Sequence, residues 1–387
     1  MNARIFAALF SLLATTTFAA PEAEFVLASD CPPGFQNVGQ RCQWRSPYQL
    51  YESLQNSGVG GLKTAMPKVR DGFSPQQIDL GRYLFFDPIL SGNQTQACAS
   101  CHQPHLGFAD GQARSTGANG TRLNRSTPSL WNVTFMQRFF WDGRANDLET
   151  QMQGPLYDQK EMAATPAQLL QRLNDSENYR RLFREAFPQR GSRIELDQIY
   201  QALAAFESSL ISLNSRYDWY AHGYAQALSS NEIEGMNVFR SFVARCAECH
   251  TPPLFSNQQI AVIGVPTPSD LPFDIGHEAI SKEKTQRGGF KVPSLRNISK
   301  TAPYMHAGQF ANLRDAVQFY TKGRGHAVPA DQQLTLHWHI WEPNLSEQEI
   351  DRLVDFLQTL TDESFMPRVP EKLPSGLLPV YRMPSQQ

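Results

Sequence analysis

Apolar residues recur at helical intervals in several stretches of the chain. After Ser74-Pro75, the run QQIDLGRYLFFDPIL sets Ile78, Leu80, Tyr83 and Leu84 on one face, with Ser as N-cap and Pro at the first helical position. Residues 196–213 (LDQIYQALAAFESSLISL) are amphipathic in the same way, and Ser230-Asn231-Glu232 opens a helix that runs through IEGMNVFRSFVARC into a cysteine pattern. The late run SEQEIDRLVDFLQTL begins with a capping box from Ser346 to Glu349. Between the middle helices, the polar and Gly content of NSRYDWYAHG predicts a boundary near residue 225. Both halves follow one scheme of helix, cysteine pattern, long loops and closing helix. No segment is strand-rich, so the expected fold class is mainly α, in two domains spanning 71–225 and 226–387. Residues 21–70, rich in Pro, Gly, Gln and Ser, have no sustained period and predict an extended N-terminal arm.

Composition narrows this picture. A chain of 387 residues has material for two sizeable cores. A mean hydropathy of −0.42, with 41% hydrophobic and 19% charged residues, argues against a polytopic membrane protein and against wholesale disorder. Lys and Arg (35) balance Asp and Glu (37), which leaves no basic excess to grip nucleic acid. Residues 1–20, MNARIFAALFSLLATTTFAA, have one Arg, a short apolar core and a small-residue end: a secretory signal peptide. Its removal takes one Arg and no acid, leaving 34 basic against 37 acidic residues, and no membrane span is expected thereafter. In an oxidising compartment, Cys31 and Cys42 of CPPGFQNVGQRC are expected to form a disulfide that ties the arm.

The other four cysteines carry the chemistry. Cys98-Ala-Ser-Cys101-His102 and Cys246-Ala-Glu-Cys249-His250 are both CxxCH, the attachment pattern of c-type haem. Two thiols form thioethers to the haem vinyls, and the adjacent His puts an imidazole on the iron. The competing readings are a zinc site built from both pairs and two thioredoxin-like redox motifs. The first must join ligands far apart in the chain, and the second lacks its βαβ context. Two covalent haems are therefore expected, one per half. A pure electron carrier fills both axial positions of its iron, whereas an enzyme leaves one open. Spacing alone does not single out a sixth ligand from His105, His222, His277, His306, His326, His337 and His339.

Two CxxCH motifs with Phe140-Trp141-Asp142-Gly143-Arg144 between them and PSLRNISKTAPYMHAG after them resemble the bacterial di-haem cytochrome c peroxidase and MauG family, over roughly residues 70 to 365. The resemblance implies two cytochrome c-like domains in a periplasmic protein. It makes His102 the proximal ligand of a peroxide-reacting haem and His250 that of a relay haem. The family's Gln, Pro and acid after the WDGR Trp fall on Gln151, Pro155 and Glu161. Glu161 is then the proton-transferring carboxylate, Gln151 orients peroxide, and Pro155 excludes competing ligands. Trp141 is implied as the electron path between haems. Its other reading is a core aromatic.

Departures from the family pattern matter as much. The blocking His of classical members corresponds to Ala118, which implies a reactive iron already open in the oxidised state. The Met ligand of the relay haem corresponds to Tyr320, the residue of the MauG branch. A packed tyrosine in RDAVQFY is the other reading there. MauG's surface Trp two residues before the second CxxCH corresponds to Ala244. The family calcium site maps its carbonyls to Thr301 and Pro303, with Ser126 in place of Asn, so a calcium ion is a further expectation. The implied function is an exported peroxidase that reduces hydrogen peroxide through high-valent haem iron, with electrons from a small cytochrome c or copper protein. The alternatives are a MauG-like maturation enzyme oxidising aromatic residues of a partner protein, and a non-enzymatic di-haem electron carrier.

Overall fold

The computed structural model of the protein describes residues 25–45, 68–321, 328, 331–341 and 343–381. The signal-peptide segment 1–20, most of the second half of the arm, and His326 lie outside the described residues. In what is described of the arm, β1 (Phe35–Val38) pairs antiparallel with β2 (Arg41–Trp44), with Phe35 opposite Trp44. The Cys31–Cys42 disulfide closes this hairpin.

Helix α1 (Pro75–Phe86) starts where the Ser74 hydroxyl accepts from the Gln77 N–H at 3.1 Å and the Gln77 side chain accepts from the Ser74 N–H at 3.0 Å. It stops before Asp87-Pro88, because a residue preceding Pro is driven out of the helical region. There follow α2 (Cys98–Cys101), α3 (Leu148–Tyr157), α4 (Pro166–Asp175), α5 (Glu177–Ala186), α6 (Leu196–Ser208) and α7 (Arg216–Ala221). The second half adds α8 (Ser230–Arg240), α9 (Cys246–Cys249), α10 (Glu278–Ser281), α11 (Leu313–Thr321) and α12 (Glu347–Gln358). A two-stranded piece, β3 (Ile260–Val262) with β4 (Gly289–Lys291), is the only sheet of that half among the described residues. The fold is mainly helical, with long irregular connections.

Each half is built on one helix crossing. A Cβ on Gly81 of α1 would lie 1.8 Å from the Ala202 carbonyl oxygen of α6, and one on Gly235 of α8 would lie 1.8 Å from the Arg352 carbonyl oxygen of α12. Glycine is required at both places because backbone meets backbone. Four residues on, Phe85 stands 5.0 Å from Phe206, and Phe239 stands 5.2 Å from Phe356, ring centre to ring centre. A third ring completes each set: Phe108 at 6.2 Å from Phe85, and Phe255 at 5.8 Å from Phe239. All six rings are buried. They fix where the short α2 and α9 turns stand on their cores.

Two features differ from the sequence expectation. NSRYDWYAHG contains helix α7, which the sequence reading did not foresee. Its Ser215 cap bonds Asp218, and Arg296 reaches both Asp218 oxygens at 2.6 and 2.7 Å with both side chains fully enclosed. Tyr217 and Tyr220 pack on the second core, so packing changes hands before α7. The chain after α12 also returns to the first core, where Leu373 and Tyr381 are buried.

The helix crossing predicts that Gly235→Ala loses about 1–3 kcal/mol of stability through overpacking. Equilibrium urea unfolding measures it, and an unchanged midpoint would contradict the crossing.

Candidate active site

Both CxxCH turns have the same local build. α2 and α9 are single helical turns whose last bond is donated by the following His, His102 N–H to the Cys98 carbonyl at 2.9 Å and His250 N–H to the Cys246 carbonyl at 2.8 Å. Each imidazole is then oriented by its Nδ1–H, which donates to the carbonyl of Phe108 (2.9 Å) or Phe255 (3.1 Å). Those two residues hold φ of +62° and +54°, a left-handed backbone unusual for a bulky side chain, and this aims their carbonyls back at the rings. Nε2 is left as the free nitrogen in both. Burial lowers the pKa of both rings, His250 to about 4, which keeps them in the neutral form that binds metal.

The thiols are not activated. Burial pushes Cys101 and Cys246 up to about 12 and Cys98 higher still. A redox CxxC needs the opposite shift. The two pairs do not gather into a zinc site either. Among the described residues, the single set of three potential ligands is Cys249 with His337 and His339, whose donor atoms lie within 4.8 Å of one another. A thioether bond at Cys249 takes that sulfur out of any metal site.

A cavity of about 960 Å³ connects the two motifs, lined by Cys98, Cys101 and His102 at one end and by Cys246, Cys249 and His250 at the other. Gln151, Pro155, Glu161, Trp141 and Tyr320 all line it. α3 carries Gln151 and, inside the helix, Pro155, which has no N–H to offer the Gln151 carbonyl. The chain then folds back on the end of α3. Met162 N–H donates to the Pro155 carbonyl and Ala164 N–H to the Leu156 carbonyl, both at 3.0 Å, which places Glu161 beside them. Burial and the neighbouring Asp158 raise the Glu161 pKa, and Arg144 partly opposes them.

The loop holding Ala118 is pinned to this segment. Its N–H donates to the Glu161 carbonyl at 2.8 Å and its carbonyl accepts from Asn93 Nδ2 at 2.7 Å. The approach at Gly117 is so close that a Cβ would lie 1.7 Å from the Lys160 carbonyl oxygen. Of the other histidines that are described, His306 and His339 line the cavity. His105 pairs with the Tyr381 hydroxyl, and His222 and His277 with the carbonyls of Asp218 and Asp142. His306 stacks on Phe290 with ring centres 4.0 Å apart, its Nε2 3.3 Å from the Gln309 amide nitrogen.

The sequence pattern described as di-haem cytochrome c peroxidase matches residues 75–226, and that of cytochrome c matches 236–361. The chain is 33% identical over 300 residues to cytochrome c551 peroxidase of Pseudomonas aeruginosa, covering 76% of this chain and 81% of that one. The chain belongs to the di-haem cytochrome c peroxidase and MauG family. It is also 35% identical over 292 residues to the methylamine utilization protein MauG of Methylorubrum extorquens, covering 75% of this chain and 79% of that one. A solved structure of a MauG-like protein associated with microbial copper homeostasis superposes with a TM-score of 0.71 at 32% identity, covering 78% of this chain and 95% of that one. Membership makes this an oxidoreductase acting on peroxide, with two c-type haems, rather than a simple carrier.

The residues present fit two haems. Beyond the paired thiols and the two oriented imidazoles, Lys291 of β4 lines the cavity, its ammonium pushed down to about 8 by burial, and no charge offsets the shift. A haem propionate would supply an anion for it. Arg125 lines the same cavity, bound to Asp142 (2.7 Å) and to Asp274 (2.7 and 2.9 Å). Trp141 spans the middle, its Nε1–H donating to the Ser126 carbonyl at 2.9 Å and its own carbonyl accepting from Lys291 N–H at 2.8 Å. At the far end, burial and the nearby Cys249 and Cys246 hold the Tyr320 phenol well above its ordinary pKa.

At the expected calcium position, both side-chain hydroxyls are engaged within the protein. Ser126 Oγ donates to the Met305 carbonyl at 2.9 Å and Thr301 Oγ1 to the Ile298 carbonyl at 3.2 Å. No set of three acidic, His or Cys ligands surrounds Thr301 and Pro303 among the described residues.

Lys291, the left-handed Phe108 and Phe255, and Glu207 escaped the sequence reading. Glu207, at the end of α6, is buried against the cavity, and its Oε2 has no hydrogen-bond partner among the described residues. Burial, then Glu149, push its pKa up to about 8, against the pull of Arg70. The folded state therefore holds Glu207 neutral while the unfolded chain ionises near the ordinary 4.5. The stability it contributes is complete below pH 4.5 and is lost as pH rises to about 8. Glu207→Gln is expected to remove a loss on the order of a few kcal/mol across that window. Urea unfolding at a series of pH values measures it, and an identical pH slope in the variant would contradict the assignment.

Proposed function

We propose that the chain is an exported di-haem peroxidase that reduces hydrogen peroxide at the His102 end of the cavity without prior reduction. Its oxidising equivalents go to a protein electron donor through the His250 end. The arrangement of Glu161, Gln151 and Pro155 at one end, beside a loop whose Ala118 is held by Glu161 and Asn93, carries this reading. When bound, the haems supply the iron that takes up peroxide and stores two oxidising equivalents. Cys98, Cys101, Cys246 and Cys249 hold them covalently, with His102 and His250 as proximal ligands through Nε2.

Reduction of one peroxide to two waters takes two electrons and two protons. Glu161 moves the proton that distinguishes the leaving oxygen from the retained one, accepting it from the nearer atom and returning it to the farther. A carboxyl whose pKa lies above the ordinary range suits both halves of that transfer. The Gln151 amide fixes the orientation of the substrate, and the Pro155 ring excludes side chains that would compete for the open position. Trp141 lies between the two ends and passes electrons from one to the other. Tyr320 supplies a phenol oxygen at the relay end, a harder donor than a thioether. The carbonyls of Thr301 and Pro303, completed by water, would be the protein ligands of a calcium ion.

Export follows from residues 1–20 and places the protein in the periplasm, with residues 71–225 as the peroxide half and the remainder as the relay half. The donor is a small cytochrome or copper protein. Tyr320 and Ala118 also favour a second reading, oxidation of aromatic side chains of a partner protein, while Ala244 counts against the MauG substrate.

Glu161→Gln is expected to lower kcat for peroxide by about 10²–10⁴-fold. It also abolishes the acidic limb of the wild-type pH profile, along which activity falls as pH drops through a pKa raised above the ordinary 4.5. Steady-state turnover with a small reductant from pH 4 upward measures both, and a variant that keeps rate and limb removes Glu161 from the mechanism.

A further inference from the structure

The outer wall of the relay end is an aromatic surface. Phe242, Val243, Trp338 and Trp341 are 85%, 49%, 65% and 40% exposed, an unusual grouping of large apolar side chains. They surround Arg245, whose guanidinium lies 5.1 Å from the Trp341 ring centre and 5.7 Å from that of Trp338. Arg245 directly precedes Cys246 and holds φ of +56°, whereas Ala97, at the same place before the first motif, is extended. The left-handed backbone at a non-glycine residue marks a position maintained against local preference.

Trp341 belongs to two environments at once. It lines the cavity together with Cys246, Cys249 and His250, yet two-fifths of it faces outward. Its Nε1–H donates to the Val243 carbonyl at 3.0 Å, which fixes the ring against the strand of chain leading into the motif. Trp338 meets His339 edge-on, ring centres 3.5 Å apart, and His339 also lines the cavity. His339 in turn lies 2.6 Å from Glu248, drawing that carboxylate inward, while Arg245 stands 3.9 Å from it. The patch is therefore apolar, with the Arg245–Glu248 ion pair at its centre and no net charge.

We propose that Trp341 is the electron relay between the His250 half and the outside. The donor docks on Phe242, Val243, Trp338 and Trp341 with an apolar, uncharged face. This rests on the peroxidase reading above. In each turnover two donor molecules give one electron apiece. Trp341 yields an electron inward and is refilled from the donor, its Nε1–H staying on the Val243 carbonyl, and no covalent bond forms. The two electrons and two protons convert one peroxide into two waters. A small copper protein that docks through an apolar, uncharged face fits this surface better than a strongly basic cytochrome c, whose lysines meet no net negative charge here.

The test uses the haem-loaded protein and azurin, a small blue copper protein, with hydroquinone as a reductant that needs no docking. Trp341→Phe is expected to lower the ratio of azurin-driven to hydroquinone-driven kcat by about tenfold or more, with the azurin KM little changed. Trp341→Tyr, bulky and still oxidisable, restores most of that ratio. Surface plasmon resonance with oxidised azurin reads docking without turnover. The Phe242→Ser, Trp338→Ala double variant should weaken binding by about tenfold or more, whereas Trp341→Phe should not. A ratio unchanged in Trp341→Phe, or equal losses in the Phe and Tyr variants, overturns the relay. Absence of azurin binding to the wild type, or unaltered binding by the double variant, overturns the docking face. A wild type that reduces no peroxide even with hydroquinone sinks the peroxidase reading itself, and the relay with it.

Discussion

Each half of the molecule depends on a hydrogen bond from an imidazole Nδ1–H to a phenylalanine carbonyl, His102 to Phe108 and His250 to Phe255. The bond fixes tautomer and ring direction together, so that Nε2 is the nitrogen offered to iron. It requires the phenylalanine backbone to sit in the left-handed region, which costs conformational energy. The same phenylalanine side chain offsets that cost by completing the buried ring cluster at the glycine crossing of its half. Core packing and ligand orientation thus act through one residue, twice.

On this shared frame the two ends of the cavity are made different by what lies opposite each imidazole. At the first end, α3 and the fold-back after it present an amide, a proline ring and a carboxyl of raised pKa, the constituents of a site that admits and cleaves a small polar molecule. At the second, a phenol on α11 faces the cysteines, and the outer wall opens through indole rings. Between them stand Trp141 and the Arg125–Asp142–Asp274 network, which ties the two halves with buried charge. One connected cavity links the two ends, and the proposed function separates peroxide chemistry at one from electron supply at the other.

Much of this was legible in the sequence. The CxxCH spacing, the capping boxes at Ser74 and Ser346, and the helical periods are local signals, and local signals survive folding. The Gln151, Pro155 and Glu161 spacing became meaningful through resemblance, and all three line the cavity. What escaped was non-local. Polar NSRYDWYAHG looks like a linker until Arg296, far along the chain, pairs with the buried Asp218 and anchors α7. Gly81 and Gly235 each stand four residues before a phenylalanine, a pattern visible in the sequence but given meaning by the facing helix alone. A left-handed phenylalanine has no sequence signature. Lys291 and Glu207 look like ordinary surface charges until the fold turns them toward the cavity.

The central claim is that the His102 end is open in the oxidised protein while Tyr320 closes the other. Electron paramagnetic resonance of the fully oxidised holoprotein, before and after one equivalent of peroxide and with no prior reduction, tests it most directly. The account predicts a high-spin ferric signal beside a low-spin one, both lost on adding peroxide. Two low-spin signals indifferent to peroxide would contradict it, because some side chain would then close the first site in the oxidised state.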